Sequence, residues 1–346
     1  DRTKPLWEMW IAEGFEDDRW VLLSKTHHCM VDGVSGTDLL TVLLDDRPDP
    51  EREEPEPWEP SEPASEIQLV RDALQERWTS PYEMVRSLRA VLRTPRRLVE
   101  VARGLRTFSR LAGDGAASSL NGPIGPHRRW SWTRSTLDRV RAIRKLHGGT
   151  VNDVVLAAIA RGFRDLLQSR GEEVDGQVVR TLVPVSVRPP GDEATPNNQV
   201  SAMFAELPVG ISDPLDRLAA VRAQLDDLKE RKQAVAADAL VSLSGFAPPM
   251  LLALGARAFS RIPQSSVQTV TTNVPGPPRE LYAAGRKLRR VFPYVPLAGR
   301  VRIGVAIFSY AGQLNFGVTG DYETCADLDV LCRGIDAGIA ELSRGV

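Results

Sequence analysis

Cysteine is nearly absent from this chain: three residues in 346, at positions 29, 325 and 332. An odd, scattered set excludes a disulfide framework and fits a reducing, cytosolic compartment. A charge excess of either sign is also missing. The 44 basic and 45 acidic residues leave a net charge of −1, so nothing draws the whole chain toward nucleic acid, which is not expected as a partner. A long uncharged run, ALVSLSGFAPPMLLALGA at 239–256, approaches the ~20 residues of a spanning helix. Pro248 and Pro249 interrupt it, which predicts two short helices buried in protein or dipping into a lipid surface. Phosphate-cradling motifs are lacking as well: there is no GxxxxGK[ST] and no strand–GxGxxG–helix unit. No GxSxG elbow signals a covalent serine nucleophile.

What is present divides unevenly along the chain. The length predicts two domains of ordinary size. The start, DRTKPLWEMWIAEGF, has no apolar signal core and begins without Met in what reads as the middle of a domain. An N-terminal segment of the same protein is therefore expected to be missing. WVLLSKTHHCMVDG reads as a strand running to His28, then a turn at Asp32-Gly33 and a helix from about Ser35 to Leu44. From Asp45 to Glu66 the composition shifts to ten acidic residues, two arginines and six prolines, an extended linker with almost nothing to bury. Residues 83–112 then carry arginines at helical spacing beside an apolar stripe broken near Pro95. That stripe either covers an ordinary core or docks on a membrane or lipid-droplet surface.

A second domain follows. Residues 137–147 read as a short helix, and Thr150 caps a longer one ending at Gly171. Strands are predicted in QVVRTLVPVSVR, QVSAMFAELPVG and SVQTVTTNVPGP, a helix in PLDRLAAVRAQLDDLKERKQAV, a hairpin turning at Ala311-Gly312, and a closing helix in ADLDVLCRGIDAGIAELSRG. Helices and strands alternate without a repeat of solenoid length, so the class is mixed α/β.

Chemistry concentrates in KTHHCMVDGVSG, residues 25–36, which holds two of the four histidines. His27, His28, Cys29 and Asp32 are all ligand types, yet neighbours on a strand diverge and no second His/Cys cluster completes a zinc-like set. No metal is expected. One imidazole titrating near neutrality can take the proton of a hydroxyl as its oxygen attacks an acyl carbon. The alternative is a structural histidine pair. Asn152 and Asp153 fall on the first turn of a predicted helix, where free N–H groups and the positive dipole end suit an anion, or where polar residues merely start the helix. Asn273, in TNVPGP, either lines a cleft or forms the turn.

HHCMVDG matches the HHxxxDG signature of the acyltransferase superfamily that includes chloramphenicol acetyltransferase and peptide-synthetase condensation domains. PLWEMW (5–10) lies upstream, and NDVVLA (152–157), PVSVR (184–188), NNQVS (197–201), TNVPGP (272–277) and LNFGVTGD (314–321) follow in order. With them the whole chain resembles the bacterial wax ester synthase/acyl-CoA:diacylglycerol acyltransferase family. The resemblance implies two chloramphenicol-acetyltransferase-like α/β lobes with mixed sheets and a tunnel between them, the first lobe incomplete at its N-terminus here. It implies a remnant of that lobe at 1–46, the acidic linker at 47–82, crossover helices at 83–112 and a C-terminal lobe at 113–346.

The implied function is O-acylation of diacylglycerol or a long-chain alcohol by acyl-CoA, which is a substrate, with no cofactor. His28 would be the general base, His27 and Asp32 structural support, and Gly33 the residue that permits a close backbone approach. Asn152, Asp153 and Asn273 would line the substrate site. The setting would be cytoplasmic, peripheral at the inner membrane or on lipid bodies. Two alternatives remain: a condensation-type acyltransferase fed by a carrier protein, and a non-catalytic lipid-binding protein of the same fold.

Overall fold

The computed structural model describes residues 4–27, 40, 43–51, 57, 64–79, 118–186, 200–230 and 267–345. The helices expected at 83–112 and the apolar run at 239–256 lie outside them.

The first part of the chain is a two-stranded antiparallel ribbon, β1 (Trp7–Phe15) and β2 (Arg19–Thr26), joined by a 3-10 turn at Glu16–Asp18. β1 was not anticipated. Both of its faces carry apolar side chains, and Trp7, Trp10, Ile11 and Leu23 are all exposed. β2 ends two residues earlier than the strand predicted through His28, although the His27 N–H still donates to Leu6 O at 2.7 Å. Of the helix expected from Ser35 to Leu44, Leu40 and Leu43 are helical, and Leu44 N–H donates to Leu40 O at 3.0 Å.

Within the segment 47–82, expected as a linker, Glu66–Thr79 forms a helix, α1, that begins where the acidic, Pro-rich stretch from Asp45 to Glu66 ends. The run EIQLVRDALQERWT has neither Pro nor Gly, and Ser65 caps it. Its hydroxyl accepts from Gln68 N–H at 3.2 Å while Gln68 Oε1 accepts from Ser65 N–H at 3.4 Å.

The remaining elements form the second lobe: β3 (Arg128–Thr136), α2 (Leu137–His147), α3 (Val151–Ser169), β4 (Val179–Ser186), β5 (Val200–Leu207) and α4 (Pro214–Glu230). β6 (Thr269–Val274), the short β7 (Tyr282–Ala283) and β8 (Arg286–Lys287), β9 (Ile303–Tyr310), β10 (Gln313–Asp321) and α5 (Leu328–Leu342) complete it. Six strands make one mixed sheet in the order β3-β10-β9-β6-β4-β5. β6 runs parallel to both β4 and β9, and the other neighbours are antiparallel.

Residues paired in register share a face. Leu314, Phe316 and Val318 of β10 and Ile303, Val305 and Ile307 of β9 therefore turn to one side. There they meet Val154, Ile159 and Phe163 of α3 and Leu331 and Ile335 of α5 in the main core. α3 and α5 cross closely because both carry glycine at the contact: a methyl on Gly162 would stand 2.8 Å from Leu331 O.

The opposite face is covered by residues 288–300. Pro293 O lies so close above Gly317 that any side chain there would collide with it, and Val295 and Leu297 press on Gly304. A smaller core joins Leu44, Leu281, Phe308 and Tyr310. This face thus ties the segment after His27 to the second lobe, with the Asp45–Tyr282 bridge beside it.

Candidate functional site

The start of α3 is fixed by its sequence. Thr150 Oγ1 accepts from Asp153 N–H at 3.2 Å, and Asp153 Oδ2 accepts from Thr150 N–H at 2.6 Å, a reciprocal cap. Val154 N–H donates to Thr150 O at 3.3 Å. Of the first-turn donors, those of Val151 and Asn152 have no acceptor among the described residues. Ahead of the cap, Gly148 and Gly149 take positive φ, and the Arg222 side chain packs on both while donating to His147 O at 3.3 Å. α4 thus braces the loop that aims α3.

Asn273 reaches this helix start from β6. Its Nδ2 donates to Asn152 Oδ1 at 3.4 Å across 121 residues of chain. Both side chains are half-buried. Since Asn152 Oδ1 accepts, its Nδ2 remains a donor alongside the free first-turn N–H groups. Along β6, Thr271 Oγ1 accepts from Thr181 Oγ1 of β4 and Thr269 Oγ1 donates to Ile303 O of β9, each at 2.8 Å, buried hydroxyls that lead to Asn273. The following loop lies flat on β9: a side chain on Gly276 would collide with Phe308, and Gly276 N–H donates to Ser309 Oγ at 3.1 Å. Asn273 is held from both ends.

The structure therefore brings Asn152 and Asn273 together and places Asp153 elsewhere. Asp153 is 1% exposed with one carboxylate oxygen inside the cap, which is the helix-start reading of that residue. His27 is exposed at the end of β2. His28, Asp32 and Gly33 lie outside the described residues. Sequence reasoning did not single out Arg222, whose signal is only the Gly-Gly pair that needs a neighbour to fill its space. Among the described residues no group of three or more His, Cys, Asp or Glu could hold a metal ion, and no helix is long and apolar enough to cross a membrane.

A polar helix start facing an asparagine at the carboxyl end of a parallel strand is where open α/β sheets bind ligands. Comparison with known proteins gives this position a context. Residues 1–155 match the wax ester synthase/diacylglycerol acyltransferase catalytic domain, and residues 197–343 the C-terminal domain of the same enzymes. A probable diacylglycerol O-acyltransferase of Mycobacterium tuberculosis is 37% identical over 99% of this chain and 72% of its own length. The chain belongs to the wax ester synthase/diacylglycerol acyltransferase family.

A second protein of Mycobacterium tuberculosis named as a diacylglycerol O-acyltransferase is 34% identical over 99% of this chain and 68% of its own. The solved wax ester synthase/diacylglycerol acyltransferase from Marinobacter aquaeolei VT8 superposes with a TM-score of 0.68 at 24% identity, over 99% of this chain and 72% of that one. That superposition establishes the shared mixed α/β fold. Family membership agrees with the expectation carried by HHCMVDG and the six ordered motifs.

Proposed function

We propose that this member of the family is an acyl-CoA-dependent O-acyltransferase that makes triacylglycerol from diacylglycerol and extends to wax esters from long-chain alcohols. The observation that carries the reading is full-chain similarity to diacylglycerol O-acyltransferases, with HHCMVDG intact at residues 27–33.

In the mechanism His28 accepts the proton of the acceptor hydroxyl as its oxygen bonds to the thioester carbon. The electron pair of the carbonyl moves to oxygen. Asn152 Nδ2 and the N–H groups of Val151 and Asn152 are the donors available to that oxyanion. Collapse breaks the C–S bond, and the coenzyme A thiolate takes the proton back from His28. No metal and no enzyme-bound acyl group enters these steps. His27, Asp32 and Gly33 shape the turn that holds His28, and Asn273 positions Asn152.

The domain reading goes with this assignment: a first-lobe portion at 1–46, a connecting stretch through 112 that includes α1, and the second lobe from 113 to 346. Lipid acceptors are confined to membranes and droplets, so the enzyme works peripherally at the inner membrane or on lipid bodies, from the cytoplasmic side.

The test is incubation of the full-length protein with palmitoyl-CoA and either diacylglycerol or hexadecanol, with identification of the lipid product. Wild-type protein yields the ester, and His28→Ala loses transfer while retaining its circular-dichroism spectrum and acyl-CoA binding. Transfer at the wild-type rate by His28→Ala would sink the assignment.

A further inference from the structure

Away from the asparagine pair, a surface pocket of about 460 Å³ opens beside β3, the end strand of the sheet among the described residues, against α5. It is lined by Trp132, Arg134, Ser135 and Arg139, with Thr133, Ile339, Ala340 and Asp336. Of these only Asp336 is acidic, and its carboxylate accepts from the Thr133 hydroxyl. Arg139 Nε donates to Ser343 Oγ at 2.9 Å, which fixes the guanidinium at the rim. The Ser135 hydroxyl is buried and, among the described residues, has no partner.

A further cation stands near Arg134, on the face of β3 turned away from α5. Residues 288–300 run from the β1–β2 turn, where Arg286 Nη1 donates to Asp18 O at 3.0 Å, to β3, where Phe292 packs on Trp132 with ring centres 4.8 Å apart. Arg290 lies between these two anchors. Burial, then the charges of Arg134 and Arg19, hold its guanidinium below the ordinary arginine range. Neither Arg134 nor Arg290 has an ion pair among the described residues. Arg134 and Arg290, like charges from separate chain segments, repel one another, a cost that a bound anion removes.

The position relative to the asparagine pair is set by register. Thr133, Phe316, Ile307 and Asn273 form one row across β3, β10, β9 and β6. Three strand spacings put the pocket roughly 14 Å from Asn273. β3, β9 and β6 point the same way, so pocket and pair flank the same end of the sheet.

We infer that this pocket binds the phosphorylated nucleotide end of the acyl donor, with Arg134, Arg139 and Arg290 on its phosphates and Trp132 against the adenine, an inference that rests on the acyl-CoA reading above. The separation matches a ligand whose reactive thioester and charged end lie at opposite ends of a long, uncharged pantetheine arm. Planar guanidiniums suit phosphate oxygens, and an indole offers a stacking face. The volume is that of an ordinary small-molecule site.

Calorimetric titration of the full-length protein with coenzyme A, 3′-dephospho-coenzyme A and pantetheine tests this directly. Arg134→Gln with Arg290→Gln is expected to weaken coenzyme A binding about tenfold, dephospho-coenzyme A less and pantetheine not at all. Arg134→Lys with Arg290→Lys retains most of the affinity, and Arg139→Gln alone gives the same ranking of ligands should the double variant fail to fold. Unchanged coenzyme A affinity in the folded double variant overturns the site, as does loss of binding to phosphatidylglycerol vesicles with coenzyme A affinity intact. Wild-type protein that binds coenzyme A through these arginines but transfers no acyl group sinks the activity and leaves the site standing. Wild-type transfer with these affinities unaltered does the reverse.

Discussion

Two adjacent residues at the start of α3 have different duties, because the Asp153 side chain turns back into the cap while Asn152 reaches across to Asn273 on β6. On the proposed mechanism Asn152→Ala removes one donor from the developing oxyanion, a loss that lowers kcat by about 100-fold with little change in KM. Asp153→Ala instead removes the reciprocal cap and costs about 1 kcal/mol of stability with the remaining folded enzyme near full turnover. Steady-state kinetics beside urea denaturation separates the two. If both variants lose stability in proportion to activity, Asn152 is structural too. The named residues were legible as types: Thr150, Asn152 and Asp153 on a helix start, Asn273 before Pro-Gly. Their pairing was not, because the contact spans 121 residues and depends on β6 lying beside β9 under α3.

Among the elements, α2, α3, the β9–β10 hairpin and α5 follow closely from sequence, since each has an apolar period with Gly, Thr or Asp at its limits. β3 does not. RRWSWTRST alternates large polar and aromatic side chains on an edge strand whose outer face is half-exposed, so neither an apolar run nor a clean in-out pattern marks it. α1 was hidden by the acidic, Pro-rich composition around it, although Ser65 and Gln68 form a recognisable cap. The contact of α3 with α5 depends on the smallest side chain. A Cβ on Gly162 meets both Leu331 O and Leu331 Cδ1 at 2.8 Å, and a Cβ on Gly334 would meet Gly162 Cα at 2.6 Å. Backbone cannot yield as a flexible side chain can, so Gly162→Val is expected to destabilise by about 3 kcal/mol, read as a lower denaturation midpoint at unchanged slope. A wild-type midpoint would mean that the two helices separate without penalty.

At the scale of the whole lobe, the turn from β10 to α5 joins its beginning to its end through two carboxylates. Asp321 Oδ1 accepts from Gly125 N–H at 2.7 Å and Oδ2 from the Thr324 hydroxyl at 2.7 Å, and these bonds outweigh burial to leave the acid below its ordinary range. Asp327 is lowered chiefly by Arg170, whose Nε and Nη2 grip its two oxygens at 2.7 and 2.6 Å from the C-cap of α3. Arg170 also donates to Ser119 Oγ at 2.8 Å, so one guanidinium links α3, the start of the lobe and α5. Both folded pKa values lie below the unfolded ones. Their contribution is therefore complete above the ordinary carboxylate value of about 4 and disappears as pH falls through the lower folded values. Urea midpoints of wild-type protein should drop between pH 5 and pH 3. Asp327→Asn should lose about 2 kcal/mol at pH 7, where the wild-type pair is charged, and show a shallower fall with acid. An Asp327→Asn protein with the full wild-type acid dependence would place the sensitivity elsewhere, with Asp321 and its bonds to Gly125 and Thr324 the next group to vary.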